Sequence, residues 1–231
     1  MRPLPFFLFI SVAVFSLAGA AAADGPLRYV AMGDSYTEGT GLGADKGWPN
    51  QLMDFLQERD VRAELTANLG RNGFSCQEVV QVQLPKLVEL RPDFVTLQVG
   101  VNDWVRKKGE QEFAECYSFL VASLEKILPD KRILLITIPD FSVTPQGARF
   151  GRREAIAAGL TRFNAIIVEV ARRRGVQTVD VFDLSREMGK DPQLMAADGL
   201  HPSAEEYRRW VERIGPAVQE MLKPLGREQT Q

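Results

Sequence analysis

Two short stretches hold side chains that could do chemistry together. The first is Gly33-Asp34-Ser35-Tyr36-Thr37, entered from the apolar run Arg28-Tyr-Val-Ala-Met32. That run reads as a buried strand, so Ser35 falls at a strand's C-terminal tip, the edge where open α/β folds bind ligands. Gly33 lacks a Cβ and would let a ligand come close to the backbone. Taken alone, the stretch is equally well an ordinary strand-to-helix turn in which Asp34 or Ser35 is a cap. The second stretch, Asp198-Gly199-Leu200-His201-Pro202, contains the chain's one histidine. A serine becomes a nucleophile when a neutral imidazole takes its proton and a third group orients the imidazole. Asp198 stands three residues before His201, and Gly199 and Pro202 mark a loop in which it could fold back onto the ring.

The elements that must position these groups alternate between strand and helix. Strands are predicted over 28–34, 62–69, 94–99, 132–138 and 177–182. Helices are predicted over 47–59, 75–90, 110–128, 152–174 and 204–222, with apolar residues at helical spacing such as Phe113, Tyr117, Leu120, Val121 and Leu124. The strands are near-continuous Val/Ile/Leu runs, as expected when both faces of a sheet are covered. The alternation predicts an α/β fold, a parallel sheet inside a three-layer α/β/α sandwich.

The turns that follow the strands converge on one rim. They are Asn68 to Ser75, Gly100-Val101-Asn102-Asp103, Pro139-Asp140-Phe141, and the loop reaching Asp198 and His201. An oxyanion formed by attack of Ser35 needs two or three hydrogen-bond donors. Backbone N–H groups near the turn glycines and the Asn102 amide could supply them. Each turn alone is ordinary, since Asn and Gly are common turn residues.

These blocks resemble those of the SGNH or GDSL-type hydrolases. The first block is Gly33 to Gly39, and the third is Gly100-Val101-Asn102-Asp103. The last is Asp198 to Pro202. The glycine of the second block is best matched by Gly73, with Gly70 as the alternative. The blocks lie in family order along essentially the whole chain after residue 23. Tyr36 stands where the family name has Leu. The resemblance implies a five-stranded flavodoxin-like sheet of order 2-1-3-4-5. It implies Ser35 as nucleophile, His201 as base, Asp198 as its orienter, and an oxyanion hole from the Ser35 N–H, the Gly73 N–H and Asn102. The implied activity is hydrolysis of carboxylic esters through an acyl-serine, with no metal and no cofactor. The substrate would be a small-molecule, lipid or carbohydrate ester, and the family also handles some thioesters. Phe141, Phe150 and Trp104 are candidates to line an acyl-accepting cleft. Gly39-Thr-Gly41-Leu-Gly-Ala44 matches a dinucleotide fingerprint, but it precedes a helix expected only after Gly47. The other rival is a catalytically silent domain of this fold that binds cell-envelope saccharide; the intact Ser35, Asn102, Asp198 and His201 argue against it.

Residues 1–23 read as a signal peptide: Arg2, an apolar segment from Leu4 to Leu17, then small residues with cleavage after Ala23. No later stretch is long enough to span a bilayer. The expected product is one domain over 24–231, exported to the periplasm or medium. The net charge is −2, with no long basic run. Arg172-Arg173-Arg174 and Arg208-Arg209 fall in helical patterns as solvated faces, so nucleic acid is not an expected partner. In an exported chain the two cysteines, Cys76 and Cys116, invite a disulfide. In the 2-1-3-4-5 order, the helices carrying them lie on one face of the sheet near the rim. Two separate buried thiols are the alternative.

Overall fold

The computed structural model describes residues 25–43, 45–128 and 131–223. The expected signal segment, residues 1–23, lies outside them. Five strands form one parallel sheet in the order β2-β1-β3-β4-β5. They are β1 (Leu27–Gly33), β2 (Ala63–Asn68), β3 (Phe94–Gln98), β4 (Ile133–Ile136) and β5 (Gln177–Val179). The helices are α1 (Ser35–Glu38), α2 (Trp48–Gln57), α3 (Cys76–Glu78), α4 (Leu87–Leu90), α5 (Val101–Val105), α6 (Glu110–Ile127), α7 (Arg153–Arg174), α8 (Phe182–Ser185) and α9 (Ala204–Met221). This is the three-layer α/β/α arrangement expected from the alternation. Helices α2 and α9 pack together, and α6 packs against both α3 and α7.

Continuous apolar runs make the central strands. β3 and β4 are buried throughout, and β1 is buried from Tyr29 onward. Tyr29 stacks on Phe94 of the next strand at 4.7 Å, and its hydroxyl meets Thr96 Oγ1 at 2.6 Å. The edge strand β2 is only half-buried, and its residues Ala-Glu-Leu-Thr-Ala-Asn alternate apolar with polar. Gly215 lets α9 approach α2, because a Cβ there would collide with the Phe55 ring. The arginine triplet sits as a solvated face, Arg172 and Arg173 on Glu169 and Arg174 on Glu125.

One predicted helix is broken. The span 75–90 contains α3, a π turn over Val79–Gln83, a 3₁₀ turn over Leu84–Lys86, and α4. Pro85 has no N–H to continue an α ladder. The widened turn ends on Gln83, a buried amide that grips the end of β1. Its Nε2 donates to the Gly33 carbonyl at 2.7 Å, and its Oε1 accepts the Gly33 N–H at 3.0 Å. Gln83→Leu would strip both bonds from a buried backbone position. It should destabilise the fold by about 1–3 kcal/mol, measured by urea unfolding; an unchanged midpoint would show that the clamp carries no energy.

Candidate active site

Strand β1 carries Ser35 to the rim, and Gly33 makes the tight turn feasible. At its φ of +154°, a Cβ on Gly33 would fall on the Gln98 carbonyl and the Thr37 hydroxyl. Asp34 is the N-cap of α1, and its Oδ1 accepts the Tyr36 N–H at 3.1 Å. Both readings of the first stretch therefore hold: Asp34 caps, while Ser35, at the first position of α1, faces the cleft. Tyr36 is buried. It lies 5.1 Å from the His201 ring and stacks on Trp210 at 6.2 Å. The hydrophobic position of the first block is thus the bed under the histidine.

His201 arrives from the other end of the chain. Its loop is pinned by an antiparallel bridge between Met195 and Pro202. The Ala196 N–H donates to the His201 carbonyl at 2.8 Å, and Ser203 caps α9 just beyond. Ser35 Oγ and His201 Nε2 are 2.9 Å apart, and His201 Nδ1 and Asp198 Oδ2 are 2.6 Å apart. Asp198 Oδ1 accepts the N–H groups of Leu200 and His201 at 2.9 and 3.0 Å. Partial burial works against the charge on Asp198, but these bonds outweigh it and hold the carboxyl below its ordinary value. An ionised Asp198 takes the Nδ1 proton as its hydrogen bond, which leaves Nε2 free to accept from Ser35.

Facing this pair is a second group of polar contacts. Asn102, at the start of α5, donates one amide hydrogen to the Phe74 carbonyl at 3.0 Å, leaving its other hydrogen to the cleft. Among the described residues the N–H groups of Ser35 and Gly73 donate to no other atom. Gly73 has φ of +83° and open space around its Cα. Gly70, the alternative, is wedged against the backbone of Thr37 and Glu38. It is a packing glycine. Helix α5 holds the Gly73 turn in place. Asp103 Oδ2 accepts the Cys76 N–H at 2.9 Å, and Arg106 donates to the Gly73 carbonyl at 2.6 Å and to Glu78 at 2.8 Å. Cys76 is paired with Cys116 of α6 in a disulfide whose Cα atoms are 6.3 Å apart.

The cleft measures 140 Å³ and is lined by Ser35, Asn102 and His201 together with Val105, Phe141 and Phe150. Asp198 sits behind His201, and Asn72 rather than Gly73 forms part of the wall. The larger hollow, 700 Å³ between α6 and α7, contains none of the chemistry. Trp104 does not line the cleft as expected from sequence. It lies inside α5, where the indole fills the space left by Gly159 and meets Phe141 edge-on at 6.0 Å. The glycines at 39 and 41 form a loop; Gly39 is the left-handed C-cap of α1, and the next helix opens only at Trp48. Among the described residues no cluster of three or more His, Cys, Asp or Glu could hold a metal ion.

Residues 31–209 match the GDSL-like Lipase/Acylhydrolase family, and the chain belongs to it. Its similar relatives include "Thioesterase 1/protease 1/lysophospholipase L1" of Escherichia coli strain K12, 27% identical over 86% of this chain and 84% of the relative. The "Arylesterase" of Vibrio mimicus is 25% identical over 89% of this chain and 94% of its own. Among solved structures, LAE5, an alpha/beta hydrolase enzyme from the metagenome of Lake Arreo, Spain, superposes with a TM-score of 0.68 at 21% identity. The match covers 87% of this chain and 98% of that one. Axe2, an acetylxylan esterase from Geobacillus stearothermophilus, gives 0.64 at 17% identity, covering 87% and 96%.

Asp103 and Arg106 have roles that the sequence does not reveal, although Asp103 completes the third block. Burial pushes the Asp103 carboxyl up to about 6, and burial with the nearby Asp103 charge pushes Asp34 up to about 8. The folded chain therefore holds the Asp34 proton more tightly than the unfolded chain. The stabilisation this gives is complete below about pH 4, where an unfolded Asp ionises, and is lost as pH rises to about 8. Asp34→Asn cannot ionise and can keep the cap. Its melting temperature should gain on wild type as pH rises through this window; a gap independent of pH would contradict the assignment. For the disulfide, Cys116→Ser should cost about 4 kcal/mol by the chain-entropy account. Alkylation of the unreduced protein should label neither cysteine, and two labelled thiols would rule the bridge out.

Proposed function

We propose that this chain is an exported serine esterase that cleaves carboxylic esters through an acyl-serine intermediate. The observation that carries the reading is the hydrogen-bonded series Ser35–His201–Asp198, at 2.9 and 2.6 Å, in a cleft that the Asn102 amide also lines. Membership of an esterase family supports the reaction class. As Ser35 Oγ attacks the ester carbonyl, His201 Nε2 takes its proton, and Asp198 stabilises the imidazolium. The carbonyl oxygen becomes an anion facing the N–H groups of Ser35 and Gly73 and the Asn102 amide. His201 then returns the proton to the leaving alcohol. Water enters, gives a proton to His201 and attacks the acyl-serine; His201 returns that proton to Ser35 Oγ as the acid is released.

The signal-like residues 1–23 and the disulfide both fit an oxidising compartment, periplasmic or extracellular. The relatives' names span thioesters, aryl esters and isoamyl acetate, so the ester class is the shared element. A silent saccharide-binding domain would have no use for a serine held against an oriented imidazole.

Ser35→Ala and His201→Ala should abolish hydrolysis of p-nitrophenyl acetate while circular dichroism stays native. Asp198→Asn should keep residual activity, because triad members act as a unit and the acid is the least costly to lose. Asn102→Ala should lower kcat by about 10²–10³. A folded Ser35→Ala protein with near wild-type turnover would remove Ser35 from its role. An Asn102→Ala effect confined to KM would make Asn102 a binding residue only.

A further inference from the structure

We propose that the cleft at Ser35 selects esters of short acyl chains, and that Phe150 sets the upper limit of chain length. This rests on the serine-esterase reading and deepens it. The acyl group stays on the enzyme through both halves of the reaction, whereas the alcohol leaves after the first. The enclosed apolar part of the cleft is therefore the acyl group's place, and the open side is the alcohol's. The whole cleft, half open to solvent, holds 140 Å³. A water molecule's share of liquid volume is about 30 Å³, so this space accepts a chain of only a few carbon atoms.

The aromatic wall has a fixed layer and a removable one. Phe141 is fixed. It is 1% exposed, follows the Asp140 cap, and takes the Thr144 hydroxyl on its carbonyl at 2.8 Å. Trp104 backs it edge-on, and the indole has no room to retreat because it already occupies the notch at Gly159. The inner wall therefore cannot yield to a longer chain. Phe150 stands edge-on against Phe141, with ring centroids 5.5 Å apart and planes at 82°. It is 43% exposed, so it lines the cleft from its outer side without belonging to the core. Its loop is registered to the catalytic loop, since the Gln146 N–H donates to the Gly199 carbonyl at 3.2 Å. Phe150 thus keeps its place relative to His201, and loss of its ring would open the cleft toward solvent while Phe141 stays put.

The test is kcat/KM for p-nitrophenyl esters from acetate to octanoate, measured on the full chain, on Phe150→Ala and on Phe150→Trp. Wild type should lose about tenfold or more between butanoate and octanoate, the scale on which an apolar pocket discriminates methylenes. Phe150→Ala should raise the octanoate-to-acetate ratio about tenfold, on the same scale, and Phe150→Trp should lower it. Equal use of acetate and octanoate by wild type would overturn the proposal. So would an octanoate-to-acetate ratio that ignores the size of residue 150. A wild-type chain that hydrolyses no member of the series, yet is folded, would instead overturn the esterase reading and this inference with it.

Discussion

The 2.9 Å contact between Ser35 Oγ and His201 Nε2 joins residues 166 positions apart in the chain. A serine hydroxyl is a weak nucleophile unless its base lies within hydrogen-bond reach, so both partners must be held to within a fraction of an ångström. Ser35 is held from the sheet. β1 lies between β2 and β3, its last residue is gripped by Gln83, and the turn beyond is closed by the Asp34 cap. His201 is held from the helical layer, by the Met195–Pro202 bridge and by α9, which contributes Trp210 to the aromatic stack beneath the ring. Tyr36 touches both halves, because it follows Ser35 in sequence and lies under His201 in space. A rigid packed core links the two loops.

The donors opposite are fixed differently. Ser35 and Asn102 stand at the starts of α1 and α5, whereas Gly73 lies on a turn with few contacts of its own. Helix α5 compensates with three consecutive kinds of side chain, Asn102 on Phe74, Asp103 on Cys76 and Arg106 on Gly73. The disulfide ties the same segment to α6. Donors that are already oriented need no rearrangement when charge develops, which is why such groups lower a barrier. The burial of Asp34 and Asp103 that this arrangement requires raises both carboxyls above their ordinary values.

Much of this was legible in the residues. The α/β/α layers and the helix spans of α2, α6, α7 and α9 follow from apolar periodicity and from turns that alternate regularly with it, and the sheet order is what the family resemblance implied. The residues brought together, Ser35, Asn102, Asp198 and His201, were all named by their place after strands. What escaped was tertiary in origin. The interruption of the helix over 75–90 depends on Gln83 reaching Gly33, a contact 50 residues distant that periodicity cannot encode. Trp104 read as a loop aromatic, yet its indole is drawn to a notch made by Gly159 on a helix far along the chain. Asp103 and Arg106 had no role assigned from sequence, and only the path of the Gly73 segment shows what they hold.

In the proposed reaction Ser35 carries the acyl group between the two half-reactions. Rapid acid quenching during turnover of p-nitrophenyl acetate, followed by peptide mass spectrometry, reads this directly. An acetyl group is expected on the peptide containing Ser35, absent from Ser35→Ala. Acetyl transfer to another side chain, with hydrolysis persisting in the Ser35→Ala protein, would contradict it.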